Sequence, residues 1–149
     1  MKLKELFEST DKSVADLGIE YKGGYFNCSN NQLTSLEGAP SRVGGYFTCV
    51  NNRLTSLKGA PSNVGGGFSC NNNQITSLKD VHKHIVEIDG SFYALNNPIR
   101  SHVLGLLLIN GITIIRLDNI QVQKILNRHL GKGRAGMLMA QEELIEAGL

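Results

Sequence analysis

The side chains in this sequence best suited to chemistry are three thiols, Cys28, Cys49 and Cys70, which recur every 21 residues. Thiols can bridge one another, bind zinc or attack an electrophile, and the spacing discriminates among these. Equal intervals are what a stack of repeated strands produces, and adjacent parallel strands lie about 4.8 Å apart. Distance alone therefore permits a disulfide, whose Cα atoms sit roughly 4.4 to 6.8 Å apart. Direction opposes it: side chains in one column run parallel, the count is odd, and Ala94 takes the equivalent place in a fourth copy. Metal ligands must converge on one point, which a ladder does not do. The expectation is an unbridged packing ladder, with neither a metal nor another cofactor.

The remaining candidates also read as structural. His82, His84, His102 and His129 show no spacing of the His-Glu-x-x-His kind. Gly131-Lys132-Gly133-Arg134 has the glycines and lysine of a phosphate loop but lacks its preceding Gly-x-x-x-x-Gly frame and its following hydroxyl. It reads as a connector between helices. Glu142 and Glu143 read as a solvated helix face. No catalytic residue is assigned, and an enzyme is not expected.

The elements that position the thiols come from a repeat. GGYFNCSNNQLTSLEGAPSRV (23–43), GGYFTCVNNRLTSLKGAPSNV (44–64) and GGGFSCNNNQITSLKDVHKHI (65–85) are successive copies, and after a three-residue slip GSFYALNNPI (90–99) realigns Phe92 with Phe68 and Asn97 with Asn73. Phe and Cys two apart share one face of a strand, because strand side chains alternate. They point into the core. Asn31, Asn52, Asn73 and Asn97 recur where each strand gives way to a turn. A buried amide there can bond backbone groups that the bend would leave unpaired. Leu33, Leu36, Leu54, Leu57, Ile75 and Leu78 fill the core from the far side, and Gly38-Ala39-Pro40 and Gly59-Ala60-Pro61 make an extended return. The third copy has Asp80-Val81-His82 instead, so its return is expected to be distorted.

Residues flanking Phe and Cys must then face outward. They form the columns Tyr25-Tyr46-Gly67-Ser91, Asn27-Thr48-Ser69-Tyr93 and Ser29-Val50-Asn71-Leu95. Tyrosine suits a binding surface because it gives contact area with little flexibility and a polar tip. Tyr25, Asn27, Ser29, Tyr46, Thr48, Val50, Asn71, Tyr93 and Leu95 are the expected partner-binding residues.

The pattern over Gly23–Ile99 resembles the leucine-rich repeats, especially the short type of bacterial effectors in which Leu-Thr-x-Leu followed by Pro marks each coil. The Phe-x-Cys and Gly-Ala-Pro elements are similar to repeats in proteins of tailed bacteriophages and some bacteria, as is the tail ILNRHLGKGRAGMLMAQEELIEAGL. The resemblance implies an α/β repeat: a short leucine-rich-repeat solenoid with a parallel sheet on one face and helical caps at both ends. It divides the chain into an N-terminal cap (1–22), about four coils (23–99) and a C-terminal helical cap (100–149). It further implies a non-enzymatic, phage-encoded module that engages a host or phage protein through the strand face or the cap. A structural or packaged virion protein is the alternative. Related effectors carry a ubiquitin-ligase domain, but the segment after Ile99 is short and has no cysteine.

The ends fit caps, which stacked repeats need to cover exposed core. MKLKELF (1–7) places Leu3, Leu6 and Phe7 at helical spacing, and a targeting segment is its rival reading. His102–Ile109 reads as a helix capped by Ser101 and stopped at Asn110-Gly111, against a hairpin about the same dipeptide. A strand or extended link (112–117) should follow, then a helix from the cap Asp118 to Leu130 with Ile120, Val122, Ile125, Leu126 and Leu130 on one face. A last helix is expected over Arg134–Ala147.

Composition sets the remaining bounds. With 41% hydrophobic and 19% charged residues the chain is not disordered, and its net charge of +2 comes without a basic block, so nucleic acid is not an expected partner. No apolar run approaches the roughly 20 residues of a membrane span, and no signal region precedes a cleavage site. A cytoplasmic protein is expected.

Overall fold

The computed structural model describes residues 10–149; the helix expected over 1–7 lies outside them. Among the described residues the chain is a small α/β structure with two parallel sheets. Its strands in chain order are β1 (Phe26–Asn27), β2 (Arg42–Val43), β3 (Phe47–Thr48), β4 (Asn63–Val64), β5 (Phe68–Ser69), β6 (Glu87–Ile88), β7 (Ser91–Tyr93) and β8 (Ile114–Arg116). One sheet runs β1-β3-β5-β7-β8 and the other β2-β4-β6. The helices are α1 (Val81–His84), α2 (Ile120–Arg128) and α3 (Gly133–Glu146), with 3₁₀ turns at Val14–Leu17 and Val103–Leu108.

The register follows the repeat. Phe26 pairs with Phe47, Phe47 with Phe68, and Phe68 with Phe92. Their rings form a spine with centroids 5.9, 4.9 and 5.6 Å apart, inside the range in which aromatic pairs attract. Tyr21 closes its first end, edge-on to Phe26 at 5.9 Å. Beside the spine, Cys28, Cys49 and Cys70 are buried and unbridged.

The asparagines explain why each strand is short. Asn52 Nδ2 donates to the carbonyls of Cys28 and Cys49, both at 3.0 Å, while its Oδ1 accepts the N–H groups of Asn31 and Leu33, also at 3.0 Å. Asn73 and Asn97 repeat the two carbonyl bonds and the second N–H bond, from Leu54 and Ile75, one and two units along. Each amide thus bonds backbone in its own unit and the one before, at the bend where strand pairing stops. The residue ahead of each, Asn30, Asn51, Asn72 and Asn96, turns the chain with φ between 55° and 61°. Asparagine is among the few side chains that tolerate this left-handed region.

Two features depart from the sequence reading. The return segments are themselves strands: Val43 pairs with Val64, and Val64 with Ile88. The three extra residues of the third unit lie within its return, where Asp80 takes the left-handed conformation that Gly59 has in the unit before and α1 follows it. The aligned apolar residue is therefore Ile88, not Ile85.

Nor does stacking end at Ile99. β8 pairs with β7, placing the buried Ile115 beside Phe92 and Arg116 beside Tyr93. The segment before it is the return of this unit: it forms a 3₁₀ turn over Val103–Leu108 with His102, not Ser101, at its left-handed entry, and Asn110 bonds across to Val86 and Ile88. No hairpin forms about Asn110-Gly111: the segment before it coils into the 3₁₀ turn, and the one after it pairs with β7 instead. Parallel pairing thus continues beyond Ile99 as far as β8.

At the other end, Lys12 and Thr34 exchange hydrogen bonds, and Ala15 N–H reaches Glu37 O at 3.0 Å. Gly38 permits this contact, since with φ +92° a Cβ there would lie 2.6 Å from Ala15 N. Asn119, not Asp118, caps α2, accepting from Val122 N–H at 3.0 Å. Ile125 and Leu126 of α2 are buried as expected, but Ile120 is exposed.

Candidate functional site

The strand face is built by alternation. With Phe and Cys turned inward, Tyr25 and Tyr46 are left 72% and 65% exposed, values far above those of buried core aromatics. Tyr46 leans across to the next strand, where its ring covers Gly67 so closely that a Cβ there would come within 2.7 Å of it. Glycine at 67 thus makes the seat for Tyr46. Tyr93 is half-buried in the neighbouring column, and Arg116, exposed on β8, extends that column by one residue.

Other residues expected on this face mainly hold the sheet together. Ser29 Oγ lies 3.0 Å from Thr48 Oγ1 and accepts Val50 N–H at 3.0 Å. Asn27 Oδ1 takes Ser29 N–H at 2.9 Å, and Asn71 Oδ1 takes Leu95 N–H at 2.7 Å. These oxygens are engaged within the sheet, and Tyr25, Tyr46, Tyr93, Val50 and Leu95 offer the apolar and aromatic contact area. Alongside runs an exposed amide ladder that the motif reading missed. Asn51, Asn72 and Asn96 each donate Nδ2 to the Oδ1 of the preceding copy, at 2.8, 2.8 and 2.6 Å. The repeated Asn-Asn pair was its visible signal.

The thiols do no chemistry where they stand. Each Sγ points to a carbonyl of the next strand, Cys28 to Thr48, Cys49 to Ser69 and Cys70 to Tyr93, at 3.4 to 3.5 Å. Burial pushes the Cys28 thiol up to about 12. The Cys49 and Cys70 thiols are also raised, by burial first and, for Cys49, by its two thiol neighbours second. The thiolate is the reactive form. Folded protein should therefore resist an aromatic disulfide reagent at pH 8 and react at all three positions only in denaturant; rapid labelling of native protein would contradict this packing.

The histidines do not converge. His102 Nδ1 lies 2.9 Å from the hydroxyls of both Ser77 and Ser101. His129 is buried between α2 and α3, with Nε2 2.6 Å from Glu143 Oε1, and Arg128 also contacts that carboxylate. Glu143 is thus tied into the helix pair, contrary to the solvated face expected for it. The Arg128 guanidinium first and the His129 ring second hold its carboxyl below the usual range. Among the described residues no group of three or more His, Cys, Asp or Glu could hold a metal ion, and no helix is long and apolar enough to cross a membrane.

Sequence reasoning missed a cleft of about 500 Å³ where the last units meet the C-terminal helices. Its walls come from segments far apart in sequence: Ala94 and Asn97, 99–104, 117–119 with Val122, and Leu144 with Leu149. Asp118 stands at its rim, its carboxylate accepting the N–H groups of Asn96 and Asn97 at 3.0 and 3.2 Å. No short-range motif marks such a site, because it exists only once β8 is stacked.

Comparison with protein-family models, curated proteins and solved structures returned no match.

Proposed function

We propose that the chain is a short leucine-rich-repeat solenoid that serves as a protein-binding module without catalytic activity. In this reading it is encoded by a bacteriophage and engages a host or phage protein in the bacterial cytoplasm. The observation that carries the reading is the pair of tyrosines, Tyr25 and Tyr46, standing exposed on a sheet whose inner side is packed. Aromatic rings held on a rigid backbone lose little freedom when they bind. Half-buried Val50 and Leu95 add apolar area beside them. The resemblance of residues 23–99 to phage and bacterial repeats supports the choice of a bacterial setting.

The test is affinity capture from bacterial lysate with the native chain and with a Tyr25→Ala, Tyr46→Ala, Tyr93→Ala variant. The variant should keep the native circular dichroism spectrum and lose the captured partner. Undiminished capture by a folded variant would remove the strand face as the binding surface.

A further inference from the structure

We infer that the cleft beside β8 is a binding site for an aliphatic monocarboxylate, an anionic amphiphile with an unbranched tail. Its walls are aliphatic: Ile99, Val103, Leu104, Val122, Leu144 and Leu149 line it, and neither Phe nor Tyr does among the described residues. A flexible chain can follow such branched walls. The volume of about 500 Å³ lies within the range of ligand pockets.

The rim selects charge. Arg100 lines the cleft and makes no ion pair among the described residues. A guanidinium binds a carboxylate through two parallel N–H bonds, which suits it to anchor the head group. Next to it stand Ser101 and His102, whose hydroxyl and ring Nδ1 are bonded to each other. The one acidic residue of the lining, Asp118, has its carboxylate committed to two backbone N–H groups. An anionic head beside Arg100 thus meets an uncommitted cation, while the oxygens of Asp118 are turned to the two backbone N–H groups they accept. This site lies beyond the tyrosine face and stands or falls independently of it.

The test is calorimetric titration of the full chain with decanoate and, separately, decanol, both below their aggregation concentrations. Decanoate should saturate a single site and bind about tenfold or more tighter than decanol. Arg100→Gln should bring decanoate down to the affinity of decanol and leave decanol unchanged. Val122→Trp, which fills the cleft, should abolish both; should that variant lose its native circular dichroism, Arg100→Gln carries the decision alone. Absence of saturable decanoate binding, equal affinity for the two compounds, or an indifferent Arg100→Gln would overturn the assignment. So would a dimer in sedimentation that Val122→Trp dissociates, which would give the cleft to a second copy of the chain.

Discussion

Phe68→Ala is expected to lower the unfolding free energy by about 4 kcal/mol, the middle of the range for truncating a buried Phe. Phe68 is fully buried in the middle of the ring spine, with Phe47 at 4.9 Å on one side and Phe92 at 5.6 Å on the other. Truncation would leave a void between two units whose backbones are tied by parallel pairing on both flanks, so neither can move in to fill it. Where units touch only their neighbours, stability is a sum of unit and interface contributions. Removing this ring weakens two interfaces at once. Tyr25→Ala, on an exposed ring, should change stability by no more than about 0.5 kcal/mol. Urea unfolding followed by circular dichroism measures both, and similar midpoints for the two variants would contradict the spine as the main source of cohesion.

The contrast between Phe68 and Tyr25 was legible in sequence because it depends on one regularity, strand alternation carried through a fixed period. The same regularity placed Cys28, Cys49 and Cys70 in one inward column and Asn52, Asn73 and Asn97 at successive bends. Where the period drifted, sequence reasoning lost the chain. Ile115 follows Phe92 without an accompanying Phe-x-Cys or Asn-Asn signature, so β8 has only its apolar alternation to announce it. Helical and extended readings compete for such a short apolar run. The 103–108 segment shows how: its apolar residues belong to a return that carries a 3₁₀ turn, and cross-unit bonds from Asn110 decide its course. Asp118 is a similar case. As an acidic residue before a helix it looks like a cap, but the unpaired N–H groups of Asn96 and Asn97 on the adjacent unit capture its carboxylate first.

These departures bear on where the candidate sites lie. The tyrosine columns arise wholly within the regular repeat and could be read from it, although the hydrogen bonds that occupy Asn27, Ser29 and Asn71 could not. The cleft depends on the irregular end: a fifth strand, a return containing a left-handed His102, and two helices packed over both. A site that draws Ala94, Ile99, Val122, Leu144 and Leu149 together is a product of tertiary packing, and its aliphatic walls are indistinguishable in sequence from ordinary core.

The asparagine column supports a second expectation of similar size, and one that separates hydrogen bonding from mere volume. Asn73 is buried; its Nδ2 donates to Cys49 O at 3.0 Å and Cys70 O at 3.1 Å, and its Oδ1 accepts Leu54 N–H at 3.0 Å. Asn73→Ala removes these bonds where water has little access, and with buried groups left unsatisfied the expected loss is about 3 kcal/mol. Asn73→Asp keeps the size and the acceptor but exchanges the donor for an oxygen. At neutral pH a carboxylate there would face two carbonyl oxygens with no proton to offer, so this variant should be less stable than Asn73→Ala despite filling the space. Protonation restores a donor, which raises the folded-state pKa of the introduced acid above its unfolded value of about 3.9. The deficit relative to the native chain is therefore largest above the raised pKa and shrinks as pH falls through it. Urea midpoints for native and variant chains at a series of pH values measure that difference with the native chain's own acid sensitivity removed. A deficit that grew on acidification, or an aspartate as well tolerated as asparagine at neutral pH, would mean that the amide's donor is not what joins one unit to the next.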